Sequence, residues 1–348
     1  MTNIVSFANN QRGIVMARVL LTGASGFLGS HLLQQLLAQN VEVLALARSE
    51  SSAAALRALG AEPVRGDVRD ADSLKAAMAT PLDAVFHVAA DTSTWRGDAA
   101  QQTLTNVGGT NNVIAAVRAA KVARLIHTSS VSAFGMTEET LTENLPRRGA
   151  DSWINYERNK AATEAAVRAA VDRGEIDAVI LNPAHILGPG DRHNWAQMFI
   201  MIDQGKLPGA PPGAGAFADV REVATAHIAA WRGGRSGESY LLGGDHASFL
   251  TLVQGIASQL DRPSPKRALP ATVLRAYAQV LNFYSRFSGH APSLTPEAVA
   301  FTCHHLRVDS SKAERELGYR STALNVLIAD TCAWLREQGL ISGNAAKT

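Results

Sequence analysis

The sequence predicts a doubly wound α/β fold: an open parallel sheet covered by helices on both faces, followed by a smaller, mostly helical part. Three observations carry this expectation. Short apolar or β-branched runs alternate with longer helical patterns from Ala17 to Ala184; Gly23, Gly26 and Gly29 stand three residues apart at the first run-to-helix junction; and the texture changes beyond Gly188. Apolar runs alternating with helices read as strands buried on both sides and joined by right-handed crossovers.

In order, the runs are ARVLLT, VEVLALA, EPVRGDV, DAVFHVAA, ARLIHTSS and DAVILNPA. Between them stand HLLQQLLAQ, SSAAALRAL, DADSLKAAM, a long helix from about Thr103 to Ala120, and a helix containing NYERNKAATEAAVRAA. The sheet domain is therefore expected over residues 17–184, after a loose extension over 1–16 in which Met16 is a candidate natural start. Beyond it, GPGDRHN and GKLPGAPPGAGAF are rich in Gly and Pro, and the later pieces read as helices with one isolated strand, ESYLLGG. Residues 185–348 are expected to form a substrate-binding cover, some segments of which return to the core of the first part. The last helix, near Leu324 to Gln338, stops at Gly339. The stretch LPATVLRAYAQVLNFYSRF, Leu269 to Phe287, has an aromatic-bearing helical pattern, for which burial against the core is preferred over a substrate lid or a membrane-facing patch.

Charged residues make up 18% and hydrophobic residues 46%, with a formal net charge of +2, so overall charge points to neither nucleic acid nor an anionic membrane. Cys303 and Cys332 are far apart and match no metal spacing, which suits a reducing compartment, and a cytoplasmic location is expected. No run approaches the roughly 20 apolar residues of a spanning helix, and the start lacks the pattern of a secretory signal.

A strand, a tight glycine turn and a helix N-terminus together make a pyrophosphate cradle. Gly23 permits the turn, Gly26 lets backbone N–H groups approach the phosphates, and Gly29 lets the helix pack close to the strand. The ligand is thus expected to be a dinucleotide held by Gly23, Ser25, Gly26, Phe27, Leu28 and Gly29. Its type is read at the end of the second strand, where an acid would bind a ribose hydroxyl and a cation a 2′-phosphate. Arg48 occupies that place with Ser49 beside it, which favours NADP(H), with NAD(H) still open. Asp67 and Val68 end the third strand and could flank the adenine; Asp67 as a helix cap explains it equally well.

NYERNK places Tyr156 and Lys160 four residues apart on one helix face. Upstream, HTSSVSAFG brings Ser129 and Ser130 to the carboxyl end of the fifth strand, on the same edge as the glycine loop. A free phenol has a pKa of about 10, so it serves as a neutral-pH acid or base only where nearby positive charge stabilises the phenolate. Lys160 and an oxidised nicotinamide would supply that charge. No metal site is expected.

With these pieces in place, the chain resembles an extended short-chain dehydrogenase/reductase of the NAD-dependent epimerase/dehydratase family, with a Rossmann-type sheet. The matching motifs are TGASGFLG, GDV, HVAA, NVGGTNNV, TSSVSAFG, NYERNK, NPAHILGPGD, ESYLLGG and DSSKAERELGY. Within that family it is most similar to the dihydroflavonol reductase-like branch. The resemblance implies that Tyr156 exchanges the proton, that Lys160 binds the nicotinamide ribose and lowers the tyrosine pKa, and that a serine binds the substrate oxygen. Counting back from Phe134-Gly135 selects Ser130 for this, with Ser129 still open. It also implies that Val88, Ala89 and Ala90 line the cofactor, that Asn106 supports the site, and that Pro183 and His185 lie against the nicotinamide. His185 on its own reads as readily as a structural residue. The chain departs from the family in Asn182-Pro183, Phe134-Gly135 and the stretch Asp219 to Glu222.

Two activities follow. The first is an NADPH-dependent carbonyl reductase acting on a small ketone or aldehyde, with Asp91, Trp95, Ser130 and Met198 as candidate substrate contacts. The second is a nucleotide-sugar epimerase or dehydratase, which needs a diphosphate clamp for which Arg192 and Arg221 are candidates. The resemblance also implies a homodimer paired through the helices around Asn106 to Ala120 and Tyr156 to Val171.

Overall fold

The computed structural model describes residues 16–342, so the extension expected over 1–16 lies outside them except for Met16. In chain order the strands are β1 (Arg18–Thr22), β2 (Glu42–Ala47), β3 (Glu62–Arg65), β4 (Ala84–His87), β5 (Leu125–Thr128), β6 (Ala178–Pro183), β7 (His185–Leu187), β8 (Ala214–Asp219), β9 (Ser239–Leu242) and β10 (Asp245–Ser248). The helices are α1 (Phe27–Ala38), α2 (Glu50–Ala58), α3 (Ala71–Ala77), α4 (Ala99–Thr103), α5 (Gly109–Ala120), α6 (Asn155–Asp172), α7 (Ala196–Asp203), α8 (Val220–Gly233), α9 (Phe249–Leu260), α10 (Ala271–Ser288), α11 (Pro296–Cys303), α12 (Ser311–Leu317) and α13 (Leu324–Glu337).

Seven strands form one parallel sheet in the order β3-β2-β1-β4-β5-β6-β9. The strand period of two sends alternate residues to opposite faces, and here both faces are apolar. Val19, Leu21, Val43, Ala45 and Phe86 pack under α1, α2 and α8, whereas Leu20, Leu44 and Val85 pack under α3, α5 and α6. Leu32, Leu33 and Leu36 of α1 are fully buried, each contributing roughly 1.5–3 kcal/mol of hydrophobic stabilisation. Asn40, with a left-handed φ of 57°, follows the end of α1 and turns the chain into β2. The strand order reverses between β1 and β4, and a crevice for a ligand opens at such a switch point, at the carboxyl ends of the strands.

The second part departs from the expected pattern in three places. The strand in ESYLLGG is not isolated: as β9 it pairs with β6 and completes the edge of the main sheet. A second sheet, β10-β8-β7, was not legible because β7 and β10 span only 3 and 4 residues and β8 is Gly/Ala-rich, with residues such as Gly215 and Ala216 that carry little strand signal. Phe217 of β8 packs with Phe249 of α9 and with α7 and α13 in a separate apolar core. Thirdly, α10 is not buried against the core: Leu274 and Ala278 pack on Val299 of α11, but the face carrying Tyr277, Tyr284 and Phe287 is open. Periodicity reveals that a helix has an apolar stripe, but α10 has a second one, and periodicity does not say which is covered.

The long helix expected from about Thr103 runs instead from Ala99 to Ala120, as α4, a π turn over Leu104–Gly108, and α5. Such one-turn bulges often mark functional positions, and this one carries Asn106.

Candidate active site

The glycine loop is built by backbone geometry. Gly23 has φ +75°, and a Cβ there would lie 2.7 Å from the backbone nitrogen of Ala89. A Cβ on Gly29 would lie 2.0 Å from the carbonyl oxygen of Gly23, so α1 and the loop touch only because that side chain is absent. Gly26 is exposed and occupies the N-cap of α1, where no side chain caps the first N–H groups and no acid sits in the first turn. An uncapped N-terminus of a 12-residue helix presents unpaired N–H donors and the positive end of the helix dipole, which fits a phosphate. Ser25 is exposed and Phe27 half-buried in this loop, while Leu28 turns inward to the core.

Opposite the loop, the segment after β4 is pinned at both ends. The Thr22 hydroxyl oxygen accepts the backbone N–H groups of Val88 and Ala89, each at 3.2 Å. Asn106, buried on the π turn, accepts the Asp91 N–H at 2.7 Å and donates to the Asp91 carbonyl at 2.9 Å. Val88, Ala89 and Ala90 are thereby held as a partly open wall at the switch point. Behind them His87 contacts Thr22 through Nδ1 at 2.9 Å and Thr110 through Nε2 at 3.1 Å, and burial pushes its pKa down to about 3, so it stays neutral.

At the adenosine end, Arg48 and Ser49 are exposed, and Ser49 caps α2 by accepting the Ser52 N–H. The carboxylate of Asp67 does not cap the next helix; Asp70 does so, while Asp67 forms a bidentate pair with Arg69. The hydrogen bonds from Arg69 hold the Asp67 pKa below the usual carboxylate range. Val68 is buried against Gly109 of α5.

Ser130, Tyr156 and Lys160 converge at the carboxyl edge of β5. Ser130 ends the chain's exit from that strand, caps the following 3-10 turn through the Ser132 N–H at 3.1 Å, and is close enough to Tyr156 to stabilise its phenolate. Burial nevertheless raises the phenol pKa to about 12, with Asp91 adding to the rise, so the hydroxyl is protonated at neutral pH. Lys160 lies on the same face of α6, its ammonium donating to the Thr128 carbonyl at 3.0 Å and standing 5.8 Å from the centre of the Tyr156 ring. Burial lowers the lysine pKa to about 8, partly offset by Glu164.

Sequence reasoning missed the group that holds this edge in place. Glu164, fully buried, accepts the Ser129 hydroxyl at 3.0 Å and the Asn182 amide at 2.8 Å on one oxygen, and Arg147 at 2.7 Å and Arg168 at 3.0 Å on the other. The Asn182 amide also donates to the Ser130 carbonyl at 3.0 Å. A signal did exist for Glu164, which follows Tyr156 and Lys160 at further four-residue steps; Arg147 comes from a loop and left none.

The remaining candidates are dispersed. Pro183 ends β6, and His185 opens β7 inside an aromatic cluster with Trp195, Phe217 and Phe249, where burial lowers its pKa to about 4. Met198 is buried in the apolar core of the cover, and Trp95 lies in the loop after β4. Arg221 is held by Asp219 and Asp330, each at 2.7 Å, and Arg192 stacks over Trp334, so both cations already have partners.

The model of the NAD dependent epimerase/dehydratase family matches residues 19–243. The chain belongs to that family. Sterol demethylase protein B of Methylococcus capsulatus is 33% identical over 327 residues, covering 92% of this chain and 99% of the relative. A 4-hydroxy-2-methyl-3-oxo-4-farnesyl-3,4-dihydroquinoline-1-oxide ketoreductase of Stigmatella aurantiaca is 33% identical over 318 residues, covering 87% of this chain and 91% of the relative. The crystal structure of gox2253 superposes with a TM-score of 0.81 at 29% identity, covering 93% of this chain and 99% of that one. As a member of the epimerase/dehydratase family the chain is an NAD(P)-dependent enzyme, and its uncapped glycine loop facing the pinned Val88–Ala90 wall fits a dinucleotide.

Proposed function

We propose that the protein is an NADP(H)-dependent reductase of a ketone or aldehyde. The observation that carries this reading is the convergence of Ser130, Tyr156 and Lys160 at the carboxyl edge of β5, with the Lys160 ammonium fixed by the Thr128 carbonyl at 3.0 Å and 5.8 Å from the centre of the Tyr156 ring. Ser130 binds and orients the carbonyl oxygen, and Tyr156 donates the proton that the oxygen gains as the carbonyl carbon is reduced. When bound, the reduced nicotinamide supplies the hydride. Lys160, fixed by the Thr128 carbonyl, binds the nicotinamide ribose and faces the phenolate left by proton transfer. Ser129 is the less suitable oxygen ligand because its hydroxyl is already donated to Glu164.

Gly23, Ser25, Gly26, Phe27, Leu28 and Gly29 hold the pyrophosphate, Asp67 and Val68 border the adenine, and Pro183 and His185 stand near the nicotinamide. The exposed Arg48 beside Ser49 supports the phosphorylated cofactor, because a guanidinium can pair bidentately with a 2′-phosphate. An apolar substrate is supported by the sterol and farnesyl groups in the names of the two relatives. The sugar-nucleotide alternative is weakened because Arg221 and Arg192, its candidate diphosphate clamp, are already engaged.

The test is to denature freshly purified protein, identify any released nucleotide, and titrate the emptied protein with NADPH and NADH before assaying a panel of hydrophobic ketones. Exchangeable binding that prefers NADPH, with turnover of such ketones, is expected. NAD+ that remains bound through purification, with no ketone turnover, would overturn the reading in favour of the epimerase.

A further inference from the structure

Helix α10 carries three stripes at helical spacing. Leu274 and Ala278 face inward onto Val299 of α11. Val273, Tyr277, Val280, Tyr284 and Phe287 recur every three or four residues along a different face, where they are 47–77% exposed, with Phe283 at 56% beside them. The sequence of the third stripe is polar: Arg275, Gln279, Asn282 and Arg286. Single exposed apolar residues are normal on a protein surface, but this helix alone gathers six of the twelve large ones exposed among the described residues.

Charge is just as unevenly placed. The overall charge of +2 hides a segment from Pro263 to Thr295 that holds Lys266, Arg267, Arg275 and Arg286 and no Asp or Glu. Lys266, Arg267 and Arg275 are exposed. An exposed aromatic face on a helix of 18 residues, in a segment whose ionised side chains are all cationic, has the composition of a helix that lies in a lipid interface. No helix among the described residues is long and apolar enough to cross a membrane.

We propose that α10 docks the protein peripherally on an anionic lipid surface, with its aromatic face in the headgroup region and its cations against the lipid phosphates. A second copy of the chain is a poorer occupant: a two-fold contact places the same patch on itself, so these cations would meet their own copies with no carboxylate in the segment to answer them. The unit that carries the docked face touches the loop that follows the Val88–Ala90 wall. Thr295 at the start of α11 donates to Thr94 at 2.9 Å, and Glu297 pairs with Arg96, which anchors the α10–α11 unit on the loop leading from Asp91. A substrate dissolved in the bilayer would enter at that edge. The docking itself does not depend on the reductase reading.

The test is sedimentation of the full chain with vesicles of equimolar phosphatidylcholine and phosphatidylglycerol, against vesicles of phosphatidylcholine alone. Binding to the anionic vesicles only, weakened by high salt, is expected. The exposed double variant Tyr284→Ser/Phe287→Ser and the charge reversal Lys266→Glu/Arg267→Glu should each lower vesicle partitioning at least about tenfold while leaving the melting temperature and NADPH affinity unchanged. Absence of vesicle binding by the unsubstituted chain, or undiminished binding by either variant, overturns the proposal. So does a vesicle-free dimer that Tyr284→Ser/Phe287→Ser turns into monomer in a chain that ignores vesicles, which would assign the face to a second copy. NADPH affinity reports on the nucleotide site separately, so failure of the docking and failure of the reductase reading give different results.

Discussion

Glu164 accepts the hydroxyl of Ser129 in a buried hydrogen bond of 3.0 Å, which separates this serine from its neighbour Ser130, the one that family resemblance favours. Ser129 faces inward to a carboxylate clamped by two arginines, while Ser130 faces Tyr156. The same carboxylate reaches the backbone of Ser130 through Asn182, so one charged group sets the position of both.

Ser130→Ala is therefore expected to lower kcat by about 10²–10³, the usual effect of losing one donor to a developing oxyanion. Ser129→Ala should instead cost about 1–3 kcal/mol of stability, through the hydrogen bond lost to the Glu164 carboxylate, whose oxygen keeps Asn182, and spare most of kcat. Steady-state kinetics and chemical denaturation of the two variants check this; equal kinetic losses would reverse the assignment.

Tyr156→Phe should reduce turnover by about 10²–10⁴ while NADPH affinity stays within a factor of about two, because only the proton donor is removed. Fluorescence titration alongside the assay measures both. Substantial residual turnover would exclude Tyr156 as the donor.

Glu164 also carries an acid-stability signature. Burial pushes its pKa up, but Arg147, Asn182 and Arg168 together outweigh burial and hold it below the ordinary carboxylate value. A depressed folded pKa means the stabilisation is complete above the unfolded value of about 4.3 and is lost as pH falls through the folded value. Glu164→Gln should cost roughly 3–5 kcal/mol at neutral pH, by leaving the arginines without their anion, and should flatten the decline below about pH 4. Denaturant unfolding at several pH values tests this, and an unchanged acid slope would refute it.

Arg48→Ala is expected to weaken NADPH binding about tenfold, the loss of one charge-assisted contact, and to leave NADH binding unchanged. A parallel loss for both nucleotides would show that Arg48 does not read the 2′-phosphate.

Gly29→Ala places a Cβ where the Gly23 carbonyl oxygen now stands, so α1 or the loop must shift. Both dinucleotide affinity and stability should fall, the latter by about 1–3 kcal/mol as for other overpacked contacts. Calorimetry and thermal melting report the two effects, and a variant with normal nucleotide affinity would mean that the close approach is not needed.

The sheet was legible because both its faces are apolar: Val19 and Leu21 on one side and Leu20 on the other leave no polar alternation to confuse the reading. The glycine loop and the Tyr156–Lys160 pair were legible because each is defined by spacing within one short stretch, as turn chemistry and helical periodicity are local properties. Where reasoning fell short, the controlling contacts join distant parts of the chain. Arg147 meets Glu164 from a loop, β9 reaches β6 across 55 residues or more of sequence, as in Leu242 against Pro183, and the clamps on Arg221 come from both α13 and its own neighbour Asp219.

By itself, the sequence determined the doubly wound sheet, the tight glycine turn and the face of α6 that bears Tyr156 and Lys160, since backbone sterics and side-chain periodicity act over a few residues. Tertiary structure alone decided that Ser129 turns to the buried Glu164, that Arg221 is already neutralised by carboxylates, and that the aromatic face of α10 is left uncovered. These depend on which surfaces meet in space and which groups lose their water, and neither is encoded in any single local stretch of the chain.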